Sequence, residues 1–129
     1  MILLDTQVVI WMASDPGKLS RIASHAIRDA SREGGIAISA ITLWELGWLM
    51  TNGRLDISGT VEAFVEEIAA RTAIRPITPK IAVLANQFSS SYPGDPSDRL
   101  IGATALAEGI PLVTRDRNIR SCKQLKTIW

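Results

Sequence analysis

Met1-Ile2-Leu3-Leu4-Asp5-Thr6 is the stretch on which the fold turns. A continuous apolar run stops abruptly at a carboxylate, and Thr6–Ala13 then carries Val8, Val9, Ile10, Trp11 and Met12. A short unbroken apolar run has no polar face to offer water, so it reads as a strand covered on both sides, with a helix behind it. The pattern recurs along the chain. Ile36–Ser39 follows Gly34-Gly35 and leads into a helical segment, Ala40–Met50, stopped by Asn52-Gly53. Ile74–Ile77 precedes Pro79–Ser89, Leu112–Thr114 follows Pro111, and Leu125–Ile128 supplies a fifth apolar run. Ser20–Arg32, Thr60–Arg71 and Asp95–Glu108 carry apolar residues at helical spacing or helix-opening and helix-closing residues. Strands alternating with helices predict an α/β domain, a mostly parallel sheet with helices on both faces.

Composition bounds the rest. The 129 residues fit one domain, 1–129, and a chain of this size buries roughly two-thirds of its unfolded surface. With 14 basic and 13 acidic side chains the net charge is +1, so any nucleic acid must be held by a local patch and not by a global field. The single cysteine, Cys122, and the single histidine, His25, exclude an intrachain disulfide, a cysteine-rich zinc site and a two-histidine metal site. Met1–Ala13 is interrupted by Asp5, Thr6 and Gln7, short of the ~20 apolar residues of a membrane span. No basic region precedes it, so it does not read as a secretory signal. The expectation is a cytoplasmic protein with no membrane partner.

The carboxylates fall at telling positions. In open α/β sheets ligands bind beyond the carboxyl ends of the strands. Asp5 directly follows the first apolar run, and Asp116 lies just past the fourth, in Val113-Thr114-Arg115-Asp116. Asp98 stands at the start of a helix, and Glu45 sits inside one, with Ile41, Thr42, Trp48 and Leu49 at offsets of three and four. Each has two readings. Asp5 caps a helix or faces a ligand. Asp95 caps the helix that Pro96 opens, and Asp98 either completes a capping box with it or faces a ligand. Asp116 is a turn residue, a cap for the segment around Asn118, or part of a site. Glu45, on a largely apolar stripe, requires a partner, a proton or a cation.

If Asp5, Glu45, Asp98 and Asp116 converge, their mutual repulsion raises every pKa in the group, and a divalent cation relieves it. An all-oxygen donor set points to Mg²⁺, with Mn²⁺ as a substitute. Such a cation activates water and neutralises phosphate, which is phosphodiester hydrolysis. Arg99, Arg115, Arg117 and Arg120 lie close to these carboxylates in sequence and read either as contacts to RNA phosphate or as surface charges and internal counterions.

Leu4-Asp5-Thr6, Ser39-Ala40-Ile41-Thr42-Leu43-Trp44-Glu45-Leu46, Asp95-Pro96-Ser97-Asp98-Arg99-Leu100-Ile101 and Leu112-Val113-Thr114-Arg115-Asp116 together resemble the PIN-domain ribonucleases, in particular the VapC-like toxins of type II toxin–antitoxin systems. The resemblance runs from the first strand to the last. It implies a PIN-like domain, a central parallel sheet of four or five strands flanked by helices, and metal-dependent endonucleolytic cleavage of RNA by an activated water. It implies Asp5 and Asp98 as principal metal ligands, with Asp116 completing the site directly or through water. Glu45 would bind a second metal or orient the water. Thr114 matches a Ser/Thr position that hydrogen-bonds the acidic cluster, and Thr6 a position where a small or hydroxyl residue is usual. Asp95 matches a structural Asp-Pro lead-in. The resemblance also implies a homodimer and a cognate antitoxin that wraps the toxin and blocks its site. Trp11, Trp44 and Trp48 read as apolar surface for such a contact or as core.

Two further classes compete. A phospho-accepting signalling module has a similar size and strand-end carboxylates. It needs an acidic pair after the first strand, an aspartate after a middle strand and a lysine near the end. Here Asp5 has no acidic neighbour, Ser39 and Thr78 follow the middle runs, and Lys80 lies mid-chain. A non-catalytic protein-binding module on a similar scaffold is disfavoured by the intact set of four carboxylates.

Overall fold

A computed structural model describes residues 1–129. In chain order the elements are β1 (Ile2–Leu4), α1 (Thr6–Ser14), a 3₁₀ turn (Pro16–Lys18), α2 (Arg21–Arg32), β2 (Ile36–Ser39), α3 (Ala40–Thr51), α4 (Val61–Arg71), β3 (Ala73–Arg75), α5 (Pro79–Ala85), α6 (Pro96–Glu108), β4 (Leu112–Val113), α7 (Arg117–Arg120) and β5 (Thr127–Ile128). The five strands form one sheet in the order β3-β2-β1-β4-β5, and every pairing is parallel.

Each strand alternates its side chains between two apolar layers, as the pleat requires. Leu3, Ala37 and Leu112 enter the layer packed by Ile81, Ala85, Ile101, Ala105 and Ile119 from α5, α6 and α7. Leu4, Ile38 and Val113 enter the layer packed by Val8, Val9, Ile27, Leu46, Phe64 and Ile68 from α1 to α4. Leu3, Leu4, Ile38 and Leu112 are all fully buried. Each such side chain contributes about 1.5–3 kcal/mol by leaving water, which is why unbroken apolar runs serve as strands here.

The strand order places a topological switch between β1 and β4. From β1 the chain moves outward through β2 to β3, then returns on the other side of β1 to form β4. Loops leaving the carboxyl ends of these two neighbours diverge and open a crevice. The loop after α6 is equally specific. Gly109 ends the helix at φ 65°, a left-handed cap that receives the chain before Pro111 and β4.

Several boundaries differ from the sequence reading. The third strand begins at Ala73 and ends at Arg75, because Pro76 has no amide hydrogen to extend the ladder. Helix α5 ends at Ala85, before the expected Ser89, with Asn86 as its C-cap. A one-turn helix, α7, forms where only a short segment was expected. No helix is long and apolar enough to cross a membrane.

Candidate active site

Asp5 stands where β1 becomes α1. It caps α1 through Oδ1, which accepts the Thr6 amide at 2.8 Å. Its Oδ2 accepts the Thr114 hydroxyl at 2.7 Å, and only 8% of the residue is exposed. Capping and participation in a site are therefore not alternatives for Asp5. Thr114, fully buried after β4, also accepts the Asp116 amide at 3.1 Å. One hydroxyl thus ties the end of β1 to the loop carrying Asp116. Asp116 in turn caps α7, its Oδ1 accepting from Asn118 at 2.8 Å and Ile119 at 3.0 Å.

Thr6 holds the next carboxylate. Its hydroxyl donates to Glu45 Oε1 at 2.6 Å and lies 3.0 Å from the Thr42 hydroxyl. Since the Thr6 proton goes to Glu45, the Thr42 hydroxyl donates to Thr6. This short relay joins α1 to α3 and fixes Glu45. Asp98 lies in the first turn of α6, whose cap is Asp95, accepting from Ser97 at 2.8 Å. Asp98 makes no capping-box bond back to Asp95 and lines the cleft.

Asp5, Glu45, Asp98 and Asp116 line one cleft of about 440 Å³, with Thr6, Gln7, Ile10, Trp11, Leu49, Arg115 and Arg117. Burial raises Asp5, helped by the nearby Asp116 and Asp95 charges and opposed by the bonds from Thr114 and Thr6. Burial also raises Glu45, as do Asp95 and Asp5, against the bonds from Thr6 and Ser97. Asp98 moves from its ordinary 3.8 to about 7 through burial, then the charges of Asp5, Asp95, Asp116 and Glu45. The salt-bridge contacts of the chain join His25 to Asp29, Arg71 to Glu67 and Arg75 to Glu108, so none of the four cleft carboxylates is in an ion pair.

This donor set fits a hard dication. Every available ligand atom is an oxygen, and no ion pair offsets the repulsion among them. No three of the carboxylates stand close enough to hold an ion by themselves.

The structure separates the arginines. Arg115 and Arg117 line the cleft. Arg99 does not: it donates to the carbonyls of Ala85 and Phe88 at 3.3 Å, Ser89 at 3.4 Å and Tyr92 at 3.5 Å. Of the arginines expected at phosphate, Arg115 and Arg117 share the cleft, and Arg99 is held by carbonyls of the chain itself. Helical neighbours diverge by about 100°, so the residue after Asp98 turns toward α5.

The tryptophans also divide. Trp44 and Trp48 are exposed, at 62% and 44%, whereas Trp11 lines the cleft. Tyr92 was not a candidate from sequence, because it sits in an irregular stretch with no periodic pattern. It is buried, and its hydroxyl donates to the Asp98 carbonyl at 2.7 Å. Burial, foremost, and the Asp98 charge raise its pKa, so it remains a neutral donor. Gly102 makes room for it: a Cβ there would run into the Tyr92 hydroxyl oxygen.

Fold and cleft define a class: a parallel α/β domain with an all-carboxylate crevice at the switch point of its sheet. The PIN domain family pattern matches residues 2–124, and the chain belongs to that family. It is 39% identical to Ribonuclease VapC22 of Mycobacterium tuberculosis, over 99% of this chain and 98% of that protein. Its fold matches VapBC2 from Rickettsia felis bound to a promoter DNA fragment, with a TM-score of 0.75 at 19% identity, covering 98% of this chain and 97% of that one. DNA-bound VapBC from Salmonella typhimurium gives 0.74 at 20% identity, covering 98% and 95%.

Proposed function

We propose that this protein is a metal-dependent endoribonuclease, the toxin of a toxin–antitoxin pair, that hydrolyses RNA phosphodiester bonds with water. One observation carries the reading: four carboxylates from four separate segments share one cleft, and none of them is in an ion pair. Kinship with a protein named as a ribonuclease supports it independently.

In this reading Asp5 and Asp98 would be the principal ligands of Mg²⁺, or of Mn²⁺ in its place, and Asp116 would complete the site through water, since no three of the carboxylates stand close enough to hold an ion by themselves. When bound, the cation neutralises phosphate charge and makes a water more acidic. The residues of the chain do the positioning. Thr114 fixes Asp5 and the Asp116 loop together, and Asp116 keeps Oδ2 for the site while Oδ1 caps α7. Thr6 pins Glu45 Oε1, leaving Oε2 to accept a hydrogen bond from the attacking water. Arg115 and Arg117 face RNA phosphate. A cognate antitoxin is the protein partner, and the chain acts as a homodimer in the cytoplasm. Trp44 and Trp48 supply apolar surface for partner contact.

The direct test is cleavage of single-stranded RNA by the purified protein. Cleavage with Mg²⁺ or Mn²⁺, its loss in a chelator, and its loss in Asp5→Asn are the expected results. Undiminished cutting in chelator, or by Asp5→Asn, would refute the assignment.

A further inference from the structure

The cleft has two unlike ends. The acidic centre lies at the first turn of α1, and Trp11 lies six positions beyond Asp5 on the same helix, roughly 9 Å along its axis. The Trp11 indole is braced by Trp129, with ring centroids 5.8 Å apart and planes tilted by 47°. The Arg115 guanidinium stands over the Trp11 ring, 5.7 Å from its centroid.

The behaviour of Arg115 is informative. It adjoins Asp116 and lines the same cleft, yet it makes no ion pair with any carboxylate. It is exposed and lies over an aromatic face instead. An apolar seal could be made by Ile10 and Leu49, which line the same cleft, without an indole braced from behind and covered by a guanidinium. Aromatic rings and arginine planes are the two surfaces on which unpaired nucleobases stack. Arg115 therefore covers the ring as a displaceable group, free to turn toward a phosphate when a base arrives.

We propose that Trp11 and Arg115 form a base-stacking ledge that takes one unpaired nucleobase of single-stranded RNA beside the phosphate held at the carboxylates. The inference rests on the nuclease reading and adds to it the two side chains that would hold the nucleobase beside the cleaved phosphate.

The test separates the two. Steady-state cleavage of a single-stranded RNA decamer is compared for the wild type, Trp11→Ala and Trp11→Phe, after melting curves establish that the variants are folded. In parallel, anisotropy of a labelled decamer is measured on Asp98→Asn protein with Mg²⁺, with and without Trp11→Ala. An abasic residue is moved along the decamer. The ledge predicts that Trp11→Ala raises KM and weakens binding about tenfold, with kcat nearly unchanged, while Trp11→Phe retains most of the affinity. It also predicts that the abasic decamer that weakens binding to Asp98→Asn loses nothing more when Trp11 is removed, because the two changes delete one contact. If the two losses add, if Trp11→Ala leaves KM and affinity unchanged, or if the loss falls on kcat alone, the ledge is refuted while the nuclease reading stands. Absence of any metal-dependent cleavage by the wild type refutes both.

Discussion

Acidic side chains in this protein live under two regimes. On the helical surfaces some of them meet cations: Glu67 lies 3.0 Å from Arg71, and Glu108, at the far end of the helix that begins beside Asp98, lies 2.9 Å from Arg75. In the cleft Asp5, Glu45, Asp98 and Asp116 share a confined space; Asp5, Glu45 and Asp116 meet hydroxyls or backbone amides, and none of the four forms an ion pair, although Arg115 and Arg117 line the same cleft. The difference teaches where stability has been given up. A paired surface carboxylate is nearly neutral to the fold, whereas a half-buried group of like charges is destabilising unless something else carries the compensating charge. Hydroxyls from Thr6 and Thr114 hold the cleft acids in place without neutralising them, so the site stays rigid and electrically unsatisfied.

The comparison breaks most visibly at Asp98. Asp98→Asn should lower RNA cleavage by more than about 100-fold in steady-state assays, the scale on which lost metal-site groups are felt. The next largest effect concerns how Asp98 is held. Gly102→Ala drives a Cβ into the Tyr92 hydroxyl and should cost about 2 kcal/mol by denaturant unfolding. Tyr92→Phe in the same background should recover part of that loss, since the oxygen is the atom struck. Equal losses with and without the phenol would mean that this contact does not lock the first turn of α6.

A comparable effect is expected from pH. Native Asp98 keeps its proton to about pH 7, while the unfolded chain releases it near 3.8. Between these values the native state binds more protons, so stability is fullest below about pH 4 and falls as pH rises to about 7. For metal-free protein the fall should be on the order of 2 kcal/mol after solvent screening. Asp98→Asn should flatten the profile. The smallest effect belongs to the paired region. Glu67→Gln, an exposed pair within α4, should change stability by less than about 0.5 kcal/mol and leave cleavage untouched.

Much of this was legible in the chain because the informative residues sit at strand ends and helix starts. Leu4-Asp5 and Val113-Thr114-Arg115-Asp116 mark where two apolar runs stop, and β1 and β4 prove to be neighbours. Glu45 stood out as a carboxylate among apolar residues. Thr6 was underweighted, since one hydroxyl in a sequence does not reveal that it bridges α1 to Glu45 on α3. The placement of Arg99 is hidden for the opposite reason: adjacency to Asp98 along the chain is divergence around a helix. Tyr92 left no trace, because its role depends on a loop conformation and on the missing side chain of Gly102. Trp11 was visible only as an apolar residue, and which wall it lines depends on tertiary placement.

The claim that the cleft awaits a divalent cation is tested most directly by thermal unfolding of the wild type and Asp98→Asn near pH 7.5, first with chelator and then with millimolar Mn²⁺. Without metal the variant should melt higher, because one of the repelling charges is gone. With Mn²⁺ the wild type should gain stability through ligand binding and the variant gain little, so that the gap closes or reverses. A wild type that melts no lower than the variant in chelator, and does not move when Mn²⁺ is added, would contradict the account.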